Sequence, residues 1–189
     1  MEEFNKSIFF LINQFAGKFS SLDAFAIIFA EAMPYFLMLI MVYLWLSHDL
    51  AKRKSSFHAG LSVLLGMLIS YVISFFYYSS RPFVDKLGTQ LVEHAPDSSF
   101  PSDHTTFIFS ISVMFLLNKS TRVIGAIVCP LSFTSGLSRV FVGVHFPLDI
   151  LGAILVAIVS SVIVLKYQSK TNRLFNMLSA LMPLNTQHK

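Results

Sequence analysis

The chain has 189 residues, of which 54% are hydrophobic and 13% charged. That is about half the charged fraction of a soluble domain, and with a mean hydropathy of +0.67 it excludes one; an all-α integral membrane helical bundle is expected. The net charge of +4 and pI near 9.3 do not point to nucleic acid, because the basic residues group at the ends of apolar runs, where they set topology.

In chain order, residues 4–19 place Phe4, Ile8, Leu11, Ile12, Phe15 and Phe19 at helical spacing. Lys6, Asn13, Gln14 and Lys18 lie between them. This predicts an amphipathic helix lying in the membrane interface, without the small-residue site of a cleavable signal. About five transmembrane spans follow, over residues 24–46, 57–79, 101–117, 123–141 and 147–166. Spans of this length cross a hydrocarbon core of about 30 Å, and the third is the shortest. Glu31 and Pro34 interrupt the first. The last residues, 167–189, read as a polar tail that turns weakly amphipathic at Leu174, Phe175, Leu178 and Leu181. No internal repeat or low-complexity segment is present. One domain is expected: an interfacial helix over 1–20, a membrane core over 24–166 and a cytoplasmic tail over 167–189. Cys129, alone in an apolar run, excludes an internal disulfide and a cysteine zinc cluster and reads as a small buried hydrophobe.

Charge predicts the orientation. Lys52, Arg53 and Lys54 fall between the first two spans, Lys119 and Arg122 between the third and fourth, and Lys166, Lys170 and Arg173 after the fifth. Those segments are expected on the cytoplasmic side. Of ten acidic residues only Asp49 accompanies them. The other side then holds the loop 80–100 and the segment 139–147.

On that outer side the chemistry-bearing residues collect. Arg81-Pro82 follows the second span. Pro101-Ser102-Asp103-His104 opens the third. Ser138-Arg139 ends the fourth, and His145 and Asp149 open the fifth. Ionisable residues at apolar spans are unfavourable and usually mark function. Two arginines can clamp phosphate oxygens, one histidine can attack, and another can protonate the leaving group. Asp149, four residues after His145, shares a helical face with it and can hold one ring nitrogen, fixing the tautomer. Pro147 suits a first-turn position. The backbone N–H groups of a first turn near His104 form an anion site, to which Ser102 adds a hydroxyl. Singly, these residues also read as helix caps and interface anchors. Glu31 is to be paired with an arginine, to act on a substrate proton, or to be a protonated packing residue. His94 lies in the outer loop within reach of a substrate. His48, His58 and His188 read as interfacial or tail residues. The 20 Phe read as lipid-facing and packing surface.

Arg81-Pro82, Pro101-Ser102-Asp103-His104 and Ser138-Arg139 followed by His145 and Asp149 resemble, in order, the three motifs of the type 2 phosphatidic acid phosphatase superfamily. The resemblance covers about residues 70–152. The Pro-Ser-Asp-His-Thr-Thr form, with Glu31 in the first span, is similar to the bacitracin-resistance subgroup, undecaprenyl-diphosphate phosphatases of the bacterial plasma membrane. The resemblance implies His145 as nucleophile through a phosphohistidine, Asp149 as its orienting group, and His104 as general acid and then base. It implies Arg81, Arg139, Ser102 and Ser138 as phosphate holders, with Asp103 and Glu31 beside the substrate. No cofactor or metal is implied, since arginines and amides neutralise the developing charge. Where the wider superfamily has Lys, seven residues before Arg81, stands Ser74; Lys86 is the candidate substitute. Asp103 stands where Gly is common. The partner expected is a lipid diphosphate, within membrane lipids. Two rival readings remain: a phosphatase of another lipid, such as phosphatidylglycerol phosphate or phosphatidate, and a transporter of lipid or bacitracin.

Overall fold

The structure is a computed structural model that describes residues 2–181. Among them are seven helices and no strand: α1 (Glu2–Asn13), α2 (Ser20–Trp45), α3 (Leu50–Phe76), α4 (Asp103–Leu117), α5 (Arg122–Phe141), α6 (Pro147–Lys166) and α7 (Gln168–Leu181). Four of them, α2, α3, α5 and α6, are long and apolar enough to cross a membrane. Their outward faces expose Tyr35, Leu39, Leu64, Leu68, Phe75, Leu155 and Ile127, a surface that only lipid covers without cost. The chain is a multi-pass membrane protein.

The third expected span is the shortest, as expected, and the most enclosed. α4 has 15 residues and rises roughly 22 Å, short of the hydrocarbon core. It packs against α3, α5 and α6, and more lightly α2. Ile108, Ile111, Met114 and Phe115 are fully buried there, so α4 is the bundle's central helix, walled by the four long ones. Hydroxyl pairs join the helices: Ser62 with Ser160 and Ser161 at 3.2 and 2.8 Å, Ser70 with Thr106 at 3.0 Å, and Ser112 with Ser132 at 2.7 Å. Small residues let membrane helices approach closely, and their hydroxyls then bond across the contact.

Several sequence expectations change here. α3 begins at Leu50 because Asp49 caps it, its carboxylate accepting from the Ala51 and Lys52 N–H groups at 2.8 and 3.4 Å. Lys52, Arg53 and Lys54 therefore belong to the first turns of a helix rather than a loop. Arg53 is buried over the Trp45 ring, 5.6 Å from its centroid. The tail is α7, which folds back so that Phe175 is buried against Trp45 and Phe57, with ring centroids 5.9 and 5.6 Å away. His58 is consequently a core residue under α7, its Nε2 3.2 Å from Thr171 Oγ1. Cys129 is only partly buried, because it lies off the packed face of α5. The Leu181 side chain and residues 182–189, with His188, lie outside the described residues.

α1 has two roles. Phe4, Leu11 and Phe15 near its line are exposed, as an interfacial face requires. Phe9 and Asn13 are buried, the first against Phe146 at 5.3 Å between centroids. Asn13 Nδ2 donates to Thr89 O at 2.8 Å and Phe141 O at 2.7 Å, and Asn13 Oδ1 accepts from Thr89 N–H at 2.7 Å. One amide side chain thus ties the loop between α3 and α4 to the end of α5.

Candidate active site

Three segments meet at one end of the bundle: the loop between α3 and α4, the first turn of α4, and the α5–α6 turn. The last is sharp because Gly143 takes φ +84°, a region that side chains disfavour. A Cβ there would strike the Thr89 carbonyl. The turn delivers His145 fully inside the protein, just before Pro147 starts α6.

The hydrogen bonds around His145 determine its proton. Asp149 Oδ2 accepts from Phe146 N–H at 2.7 Å and from the Ser99 hydroxyl by a very short bond. With its hydrogen spent on Asp149, Ser99 presents only lone pairs to His145 Nδ1, 3.3 Å away. Asp149 Oδ2 lies 3.4 Å from the same nitrogen. Two acceptors on that side place the hydrogen on Nδ1. On the other side, Arg81 Nη1 donates to Nε2 at 3.1 Å. Nε2 therefore carries the lone pair, and an anion-binding guanidinium already touches it. Burial, then the charges of Arg81, Arg139 and His94, hold His145 well below the ordinary imidazole value, so the ring is neutral at neutral pH.

Arg81 is itself buried and heavily held. Its Nε donates to Asp97 Oδ1 at 2.9 Å, Nη2 lies 2.8 Å from the same oxygen, and Nη1 donates to Val144 O at 3.0 Å. Arg139, on the last turn of α5, donates from Nη1 to Glu31 Oε1 at 2.8 Å and to Ala30 O at 3.4 Å. The Ala30 carbonyl is available because Pro34, four residues on, has no N–H to offer it. Arg139 Nε is buried without a partner, an unmet donor suited to an anion. Glu31 and Asp97 are 54% and 61% exposed, so each arginine has a buried head and a solvent-facing counter-ion.

His104 sits on the first turn of α4, with Nε2 3.3 Å from Ser135 Oγ. His94 stacks edge-on to His145 at 6.1 Å, its Nδ1 3.8 Å from Asp97. Burial and the arginine charges also hold His94 below its ordinary value. Beside His104 a groove of about 330 Å³ opens between α2, α3 and α4, lined by Glu31, Pro34, Met38, Met67, Asp103 and Phe107 among others.

The structure thus joins Arg81, His145 and Asp149 in one hydrogen-bonded set and pairs Arg139 with Glu31. The two serines expected on the phosphate each also bond helix backbone. Ser102 Oγ caps α4, accepting from Thr105 N–H at 3.4 Å. Ser138 Oγ donates to Thr134 O within α5 at 2.9 Å. Asp103 is exposed in the groove rather than against an arginine. Ser74 donates to Phe100 O at 3.1 Å, while Lys86 is exposed, at φ +58°, and bonds none of these residues. The sequence reading missed Asp97, Ser99 and Ser135. Serines and acids in loops carry no spacing signal, although Ser98-Ser99 immediately before Phe100-Pro101 was a hint of a tied loop.

The PAP2 superfamily pattern matches residues 55–173. The undecaprenyl-diphosphatase BcrC of Bacillus subtilis (strain 168) is 36% identical over 155 residues, 82% of this chain and 79% of that protein. The putative undecaprenyl-diphosphatase YbjG of Escherichia coli (strain K12) is 32% identical, covering 84% and 80%. The bacitracin transport permease protein BcrC of Bacillus licheniformis is 32% identical, covering 94% and 87%. Among solved structures, LpxE of Aquifex aeolicus superposes with a TM-score of 0.72 at 28% identity over 85% of this chain and 94% of that one.

Proposed function

Because this chain belongs to the PAP2 superfamily, we propose that it is a lipid diphosphate phosphatase, hydrolysing undecaprenyl diphosphate to undecaprenyl phosphate and phosphate. The observation that carries this reading is the lone pair of His145 Nε2, aimed at Arg81 Nη1 3.1 Å away. A neutral nucleophile and an anion-binding donor share one point in space. The names and identities of the B. subtilis and E. coli relatives supply the lipid.

In this reading the terminal phosphate displaces Asp97 and Glu31 from the two arginines and lies between them. His145 Nε2 attacks phosphorus while the bond to the bridging oxygen breaks. Protonated His104 gives its proton to that oxygen, and undecaprenyl phosphate leaves. Water then gives a proton to His104 and attacks the phosphohistidine; the P–N bond breaks and phosphate departs. Asp149 and Ser99 hold Nδ1–H throughout, so the positive charge that develops on the ring has a carboxylate behind it. The arginines neutralise charge on the equatorial oxygens. Methionines 38 and 67 and Phe107 make the groove beside His104 a seat for the first isoprenyl units, entered from the bilayer. The positive segments at the opposite end support a site facing outside the bacterial plasma membrane. There the reaction would recycle the cell-wall lipid carrier and compete with bacitracin for it.

The name of the B. licheniformis relative favours a second reading, transport. One experiment separates them: phosphate release from undecaprenyl diphosphate in detergent with excess EDTA, wild type beside His145→Ala. The expected result is release by the wild type, lowered by at least about 10³-fold in a variant that folds and inserts normally. Substantial release by His145→Ala would sink the mechanism. Bacitracin resistance that survives His145→Ala in cells would favour transport.

A further inference from the structure

Ser135 is fully buried on α5, between two elements that the reaction uses. Its Oγ lies 2.7 Å from Phe29 O on α2 and 3.3 Å from His104 Nε2 on α4. A serine hydroxyl has one hydrogen and two lone pairs. A carbonyl oxygen can only accept, so the hydrogen goes to Phe29. Ser135 then offers His104 a lone pair, and His104 Nε2 must be the donor. In the neutral ring the other nitrogen, Nδ1, holds the lone pair, and no hydrogen bond among the described residues engages it.

Pro34 has no N–H to return to the carbonyl four residues back, so Ala30 O lacks its helical partner. Ala30 O receives Arg139 Nη1 at 3.4 Å, and the adjacent Phe29 O receives Ser135. One turn of α2 therefore seats both an arginine of the site and the residue that holds His104.

We propose that Ser135 is a positioning residue for the reaction: by giving its hydrogen to Phe29 O it fixes His104 as the Nε2–H tautomer, leaving Nδ1 to carry every proton transferred. This rests on the phosphatase reading above. The proton balance is complete within it. Protonated His104 releases the Nδ1 hydrogen to the leaving oxygen, and Nδ1 recovers one from the attacking water. Nε2 keeps its hydrogen, donated to Ser135 Oγ, through both halves, so the ring does not need to turn over between acid and base roles.

The test begins with a readout that needs no substrate. Protein labelled with ¹⁵N-histidine is purified in detergent, and two-bond ¹⁵N–¹H spectra are recorded near pH 8, where imidazoles are largely neutral. His104→Gln assigns the His104 signals. The wild type is expected to show the Nε2–H pattern, Ser135→Ala a mixture with Nδ1–H, and Ser135→Thr the wild-type pattern again. In phosphate release, Ser135→Ala is expected to lose about tenfold in kcat, part of the range acid–base groups supply, with KM unchanged and kcat restored by Ser135→Thr. An Nδ1–H pattern in the wild type, an unchanged tautomer in Ser135→Ala, or an unchanged kcat would each overturn the proposal. If Ser135→Ala fails to fold, Ser135→Cys replaces it, with the same expected and overturning results. A wild type that releases no phosphate from any lipid would refute the phosphatase reading, and the spectra would still decide whether Ser135 sets the tautomer.

Discussion

At the scale of single residues, the site is governed by which hydrogens are already committed. Ser99 has one hydrogen and gives it to Asp149; His145 therefore keeps its own on Nδ1. Burial and the neighbouring arginines then oppose protonation of Nε2. This has a sign for both stability and rate. A histidine is protonated below about pH 6.5 in the unfolded chain, while the folded chain refuses that proton until lower pH. The contribution of His145 to stability is thus full above about pH 6.5 and declines as pH falls below it. In the proposed mechanism the same depression keeps His145 neutral into mildly acidic solution. The acid limb of kcat/KM that belongs to His145 is expected below about pH 6.5. Arg81→Gln removes the nearest positive charge and should move that limb upward; an unmoved limb in the pH–rate profile would show that Arg81 does not set it. Arg81, His145 and Asp149 were legible in the sequence because arginine, histidine and aspartate are rare beside apolar spans. Ser99 and Ser135 were not, because the chain is rich in serine and only their neighbours distinguish them.

Helices and turns position these residues. Asp149 points at His145 because both lie in one helical turn opened by Pro147, and that much follows from a spacing of four. The α5–α6 turn depends on Gly143, and the loop that carries Asp97 and Ser99 depends on Asn13 of a different helix. Gly143→Ala adds a Cβ at positive φ against the Thr89 carbonyl, and a cost of about 1–3 kcal/mol is expected. Asn13→Leu leaves the Thr89 N–H and the buried Phe141 carbonyl without their partner and should cost about 1–3 kcal/mol. Thermal unfolding in detergent, read with phosphate release, checks both. The expected outcome is a lowered Tm for each, and for Asn13→Leu lower activity too, since α1 no longer holds the loop. A wild-type Tm in Asn13→Leu would mean the clamp is incidental. The sequence reading placed Asn13 on the polar side of α1, because periodicity ranks an amide as solvent-facing and has no knowledge of a loop and a helix end that together make three hydrogen bonds with it.

For the whole molecule, polarity runs along the bundle axis. The candidate site's histidines and arginines gather at one end; Lys54, Lys119 and Arg122 mark the other. If the positive end is cytoplasmic, a cysteine at exposed Glu93 should be labelled in intact cells by a membrane-impermeant maleimide, in a Cys129→Ser background. One at exposed Lys119 should be labelled only after lysis. The reverse pattern would invert the orientation and place the reaction inside the cell. The bundle's interior makes a second demand. Gly66 sits where a Cβ would come within 2.8 Å of Ser110 Oγ and 3.2 Å of Ser160 Oγ. Gly66→Leu is expected to wedge α3 from α4 and α6 and to destabilise by about 1–3 kcal/mol or more, measured as loss of the folded fraction on heating.

Apolar run length, the side on which lysine and arginine collect, and the ordered trio of motifs are local properties of the chain. They alone pointed to a helical membrane protein of a phosphatase family and to His145, Asp149, His104 and the two arginines as its candidate site. Tertiary structure decided the rest. Glu31 meets Arg139 across 108 residues, and Ser135 meets Phe29 across 106. Ser102 Oγ caps α4 and Ser138 Oγ donates to Thr134 O, and α4, the shortest of the apolar helices, is central to the bundle. Each of these depends on groups far apart in the chain. A hydrogen bond has one donor and one acceptor within about 3 Å, and no local pattern of residues specifies which distant partner the fold brings there.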